Sequence, residues 1–77
     1  MAERVFLSEI VGKIALDKDS VMLGPIEDIV IDTSTGFVKY LVLGSGVKVS
    51  EMVDDLGRAV VPVGGMRIET EYVIVTR

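Results

Sequence analysis

The side chains that could do chemistry here are carboxylates, amines, hydroxyls and phenols, because the 77 residues include neither His nor Cys. General acid–base work near neutral pH usually relies on a group that titrates there, and covalent catalysis on a nucleophile beside a base. The five serines, Ser8, Ser20, Ser34, Ser45 and Ser50, all sit in turn-like or cap-like contexts with no base signature nearby. Their natural work is to bond local backbone rather than to attack a substrate. Asp17-x-Asp19 opens like a calcium loop, yet the glycine at the sixth position and the closing glutamate at the twelfth are missing. Gly44-Ser45-Gly46 has the look of half a phosphate loop, but no long helix follows, so the triplet reads as a hairpin turn. Asp54-Asp55 reads as an exposed acidic face. These residues give no catalytic, cofactor-binding or metal-binding set, and the chain is expected not to be an enzyme.

Charge and aromatics narrow the partners. Twelve carboxylates against eight cations leave a net charge of −4, whereas binding to a phosphate backbone is driven by clustered Lys and Arg. Of the four aromatics Phe6, Phe37, Tyr40 and Tyr72, only Tyr40 has a neighbouring cation, Lys39. Adjacent strand residues point to opposite faces, so these two are not expected to form a stacking platform. Nucleic acid is therefore not an expected partner. The first residues, Met1-Ala2-Glu3-Arg4, lack the apolar run of a signal peptide, and Tyr40-Leu41-Val42-Leu43 is far too short to span a bilayer. A cytoplasmic location without membrane insertion is expected.

The elements that position these residues are strands. Val and Ile supply 21 residues, and β-branched side chains favour pleated, half-buried surfaces. Apolar runs of four to eight residues, broken by Gly, Pro, Asp and Ser, predict a meander of short strands in a barrel or small sandwich. The strands are expected at Lys13–Leu16, Ile26–Asp32, Phe37–Leu43, Arg58–Val63, Met66–Ile68 and Tyr72–Thr76. Ser8 is placed to cap one helical turn over Glu9-Ile10-Val11, ended by Gly12. Gly24-Pro25 suggests an edge or bulge, and Gly64-Gly65 a tight turn. Asp32-Thr33-Ser34-Thr35-Gly36 is the strongest hairpin signal, with Asp32 accepting from following amides and Gly36 free to take a positive φ. The stretch 47–57 fits either a short capped helix or a loop. One domain over residues 1–77 accounts for the whole chain.

Taken in order, these residues resemble the PRC-barrel family. Leu7-Ser8-Glu9-Ile10-Val11-Gly12-Lys13 is similar to the family's first motif. Gly24-Pro25-Ile26-Glu27-Asp28-Ile29-Val30-Ile31-Asp32, followed by Thr35-Gly36-Phe37-Val38, resembles its central one, and Val60-Val61-Pro62 its late valine–proline step. The sequence departs from the pattern at Ser20, where a glycine is usual nearby, at Pro25, and at Val63-Gly64-Gly65. The resemblance implies an all-β fold, a small, partly open six-stranded β-barrel with at most one or two short helical turns, often dimeric and without enzymatic activity. It looks like the stand-alone archaeal type, some of which are similar to cell-division adaptors connecting the membrane-anchor protein SepF with the tubulin-like division ring. The alternative it implies is a ribosome-assembly or RNA-linked factor, after the similar domain of a ribosome maturation factor.

A homodimer is expected from composition as well. The 38 hydrophobic residues, less two Tyr and with eight Gly, make 44 of 77, about 57% against roughly 45–50% in ordinary soluble domains. A chain this short has little interior, and neither disulfide nor the usual metal sites to supplement it. So small a barrel should be filled by its own side chains, which disfavours storage of a small ligand. Phe37, Tyr40, Tyr72 and Ile74 are the expected interface residues. The absence of Asn, Gln and Cys further suggests a thermophilic source.

Overall fold

The computed structural model describes residues 6–45 and 53–76. A 3-10 turn, Leu7–Glu9, leads into β1 (Ile14–Asp17), β2 (Met22–Ile31), β3 (Val38–Ser45), β4 (Arg58–Pro62), β5 (Gly65–Ile68) and β6 (Tyr72–Thr76). They form one six-stranded sheet in the order β4-β3-β2-β1-β6-β5, with β4 and β5 as its two unjoined ends. The fold is the expected all-β, partly open arrangement. It is not a simple meander. The first four strands pair antiparallel in sequence, but β6 returns to lie parallel to β1, with Ala15 opposite Val73.

The long strand β2 makes the curvature. Its first part pairs with β1 (Ala15 opposite Gly24) and its second with β3 (Ile29 opposite Leu41). The strand therefore starts at Met22, four residues before the expected Ile26, and ends at Ile31 rather than Asp32. Pro25 is tolerated inside it for a specific reason. The Ile26 N–H donates to the Lys13 carbonyl, so one residue earlier the Pro25 nitrogen points away from β1, and its pair with Ile14 needs no N–H. Pairing with β3 begins only after the proline, at Ile26. Register shifts on either side of it, at Ala15/Leu16 and Ile26/Asp28, turn the strand from one partner to the other.

Other boundaries move for equally local reasons. The helical turn lies two residues earlier than expected, and Ser8 is inside it rather than at its cap. Main-chain bonds from Glu9 to Phe6 and from Ile10 to Leu7 close that turn, and buried Ile10 anchors it. Strand β3 begins after Phe37 and extends through Gly44-Ser45, which are therefore not a turn: Ser45 pairs with Arg58. Gly46 and residues 47–52, Ser50 included, lie outside the described residues. Gly64-Gly65 is not a tight turn between paired strands. Val63 donates to Lys39 and Gly64 to Thr76, so this segment crosses from β3 to β6 across the gap, and Gly65 already belongs to β5.

The core is aliphatic. Ala15, Leu23, Ile26, Leu41, Leu43, Ala59, Val61, Val73 and Val75 pack with Ile10, and no polar side chain among the described residues is buried. Residues 41–44 of β3 are buried on both faces, as the sequence there lacks a polar side chain. Leu41 and Leu43 enter the core, while Val42 lies on the other face opposite Val60, both nearly inaccessible.

Candidate interaction surfaces

Register places a continuous apolar surface on the outside of the barrel. Ala15 and Val73 point inward and are fully buried. Their neighbours consequently point out: Ile14 lies beside Tyr72 and Pro25, and Leu16 beside Ile74 and Met22. Six apolar residues from three strands thus share one outer face, with Met22 64% and Tyr72 40% exposed. Of the four expected interface residues, Tyr72 and Ile74 lie here. Tyr40 does not. It lies on the outer face of the other half of the sheet, flanked by Val30 and Pro62. Phe37 sits in the β2–β3 connection and is 74% exposed. Ile14, Leu16, Met22 and Pro25 were not named as interface residues from sequence; alternation about Ala15 is the signal that finds Ile14 and Leu16, and only pairing adds Met22 and Pro25.

The pairing of Lys39 with Tyr40 departs from simple strand alternation. Between Val30 and Ile31, one step along β2 is matched by two along β3. That bulge brings the two neighbours together, and Lys39 Nζ sits 5.7 Å from the Tyr40 ring centroid, within cation–π range.

Phe37 belongs to a second surface, at the seam where the sheet fails to close. Two adjoining hollows of about 400 and 490 Å3 share Val38 and Met66. One reaches Phe37, Val63 and Gly65, and the other reaches Leu7, Ile29 and Ile31. Asp28 is the charged residue lining them.

The polar residues named from sequence do structural work. Asp32 Oδ1 accepts from the Ser34 N–H and hydroxyl, and Gly36, at φ +78°, donates its N–H to the Asp32 carbonyl. The Ser34 hydroxyl and amide hold the Asp32 carboxyl below its ordinary pKa. Asp17 Oδ1 accepts from Asp19 and Val21 N–H groups, closing a turn rather than opening a metal loop. Ser20 takes φ +64° in that turn, where the family pattern has a glycine nearby.

Asp54 is more than an exposed acid. Its Oδ1 accepts from the Leu56 and Arg58 N–H groups, and its Oδ2 from Arg58 Nε at 2.6 Å. Loss of hydration pushes the Asp54 carboxyl up, but the Arg58 amide and guanidinium outweigh that and leave its pKa lowered. Arg58 Nη1 also lies 3.7 Å from Glu27, linking the turn before β4 to the bulge in β2. Among the described residues no three acidic side chains converge as a metal site would require, and no helix is long and apolar enough to cross a membrane.

The chain therefore offers two apolar surfaces on a self-filled barrel, with its polar groups committed largely to turns. None of the curated proteins matches it. The family model of the PRC-barrel domain matches residues 2–77, and the chain belongs to that family of non-catalytic interaction modules.

Proposed function

We propose that this PRC-barrel domain is a non-enzymatic protein adaptor that works as a homodimer, joined through the outer face of β1, β2 and β6. The observation that carries the reading is the cluster of Ile14, Leu16, Met22, Pro25, Tyr72 and Ile74, apolar throughout and assembled from three strands. A second copy of the same face is its natural cover. Burying about 400 Å2 of apolar surface on a protomer contributes on the order of 10 kcal/mol before association costs. That is comparable with the whole stability of a small domain. A two-fold dimer also presents every remaining surface twice, which gives avidity for a polymeric or dimeric partner.

The setting we propose is assembly of the cell-division machinery, with SepF as a protein to test first. This rests on the chain's membership of the PRC-barrel family and on its acidic balance, which suits a protein partner better than RNA. Light scattering at micromolar concentration tests the dimer, and a stable 8.3 kDa monomer would overturn it. Titration with purified SepF tests the setting, and an absence of binding by the dimer would overturn that part alone.

A further inference from the structure

The two ends of the open sheet differ in what their backbones offer. Along β4, Val63 donates to Lys39, so alternation places Pro62 with its backbone toward the free side. Proline has no N–H to give there. The start of the strand is covered as well, because Val53 bridges to Ala59 and Asp54 donates to Arg58. That edge is blocked.

The β5 edge is open. Glu69 donates to Tyr72, and the same register continues through Arg67–Ile74 and Gly65–Thr76. Alternation then turns the N–H and C=O groups of Met66 and Ile68 away from β6, toward the seam. Among the described residues, nothing pairs with them there. The Met66 side chain lines both apolar hollows, so unpaired backbone groups and an apolar floor meet at one place. Neither feature alone specifies an occupant. Together they match an extended strand, whose main chain bonds the edge while alternate side chains enter the hollows.

A second copy of β5 is poorly suited to that role. The antiparallel register that uses both Met66 and Ile68 on each chain sets Arg67 directly opposite Arg67, and like charges facing across a ladder destabilise it. The Arg67 side chain is 73% exposed and engages Glu69 through Nε at 2.9 Å. A strand bearing Asp or Glu opposite Arg67 reverses the sign of that contact.

We infer that the β5 edge binds an extended segment of a different protein by strand addition, with apolar residues toward the seam and an acidic residue opposite Arg67. This rests on the adaptor reading and supplies an edge for its second partner, with Arg67 beside Ile74 at the border of the dimer face. The test is to pan a phage-displayed library of short random peptides against the full chain. Enriched sequences should alternate apolar and polar residues and carry an acid. A representative peptide should slow hydrogen exchange of the Met66 and Ile68 amides while leaving Arg67, already bonded to β6, little changed. Met66→Pro, which removes one edge donor as Pro62 does on β4, should weaken that peptide about five- to tenfold. Arg67→Glu should shift the selected peptides from acidic to basic. Failure to enrich any sequence, or enriched peptides that leave Met66 and Ile68 exchange unchanged, would overturn the inference. Light scattering on the same samples reports the dimer independently, so failure of one reading is told apart from failure of the other.

Discussion

Asp54 and Arg58 hold each other twice, once through the Arg58 main-chain N–H on Oδ1 at 2.8 Å and once through Nε on Oδ2 at 2.6 Å. A single carboxylate thereby fixes the turn entering β4, and Arg58 carries the connection across to Glu27 in β2. This pair ties the turn before β4 to the bulged part of β2.

The pair makes stability depend on acid. The folded-state pKa of Asp54 is depressed, as is that of Asp32, so each contributes stability that is present above the unfolded carboxylate value near 4. That contribution is lost as pH falls through the lower folded-state values. Urea midpoints measured from pH 7 down to pH 2 should fall below about pH 4. Asp54→Asn should lower the midpoint at pH 7 and make the acid limb shallower. Parallel acid limbs in the two proteins would show that the pair does not carry this dependence.

The β2–β3 hairpin depends on one backbone conformation. At Gly36 an added Cβ meets nothing within 4 Å, so any cost of a side chain comes from φ +78° rather than from crowding. Gly36→Val should destabilise the fold by more than about 1 kcal/mol in chemical denaturation. A change near zero would mean the loop rearranges freely.

The opposite substitution should help at Ser20. This exposed residue holds φ +64° without the freedom of glycine, so Ser20→Gly should stabilise by about 0.5 kcal/mol once the entropy of the unfolded chain is included. An unchanged or lower melting midpoint would count against strain at that turn.

The proposed dimer face can be tested apart from the rest of the barrel. Met22→Glu and Tyr72→Glu place charges on exposed positions of the outer face. They should convert the dimer to folded monomer in light scattering while circular dichroism stays unchanged. Tyr40→Ala, on the other half of the sheet, should leave the dimer intact.

RNA binding distinguishes the adaptor from a ribosome-linked factor. With a net charge of −4, the chain should show no measurable binding to RNA at physiological salt in an anisotropy assay. Tight, salt-sensitive binding would favour the second role.

Composition and alternation alone determined that this chain is a small all-β domain, and its turn residues marked the Asp32–Gly36 hairpin, because both are local properties of the backbone. The motifs around Gly24–Asp32 and Val60-Pro62 were enough to show the resemblance to the PRC-barrel family. Tertiary structure decided what depends on non-neighbouring partners. The parallel return of β6 to β1 joins residues nearly sixty positions apart, and no local pattern encodes it. It also settles which residues share a surface: Tyr72 and Ile74 join Ile14, Leu16, Met22 and Pro25, while Tyr40 and Phe37 lie elsewhere. The β2–β3 bulge brings Lys39 beside Tyr40 against strict alternation, because an extra residue in one strand shifts its pleat relative to its partner. The difference between the blocked β4 edge and the open β5 edge is likewise a matter of hydrogen-bond phase, which only the pairing of the strands sets.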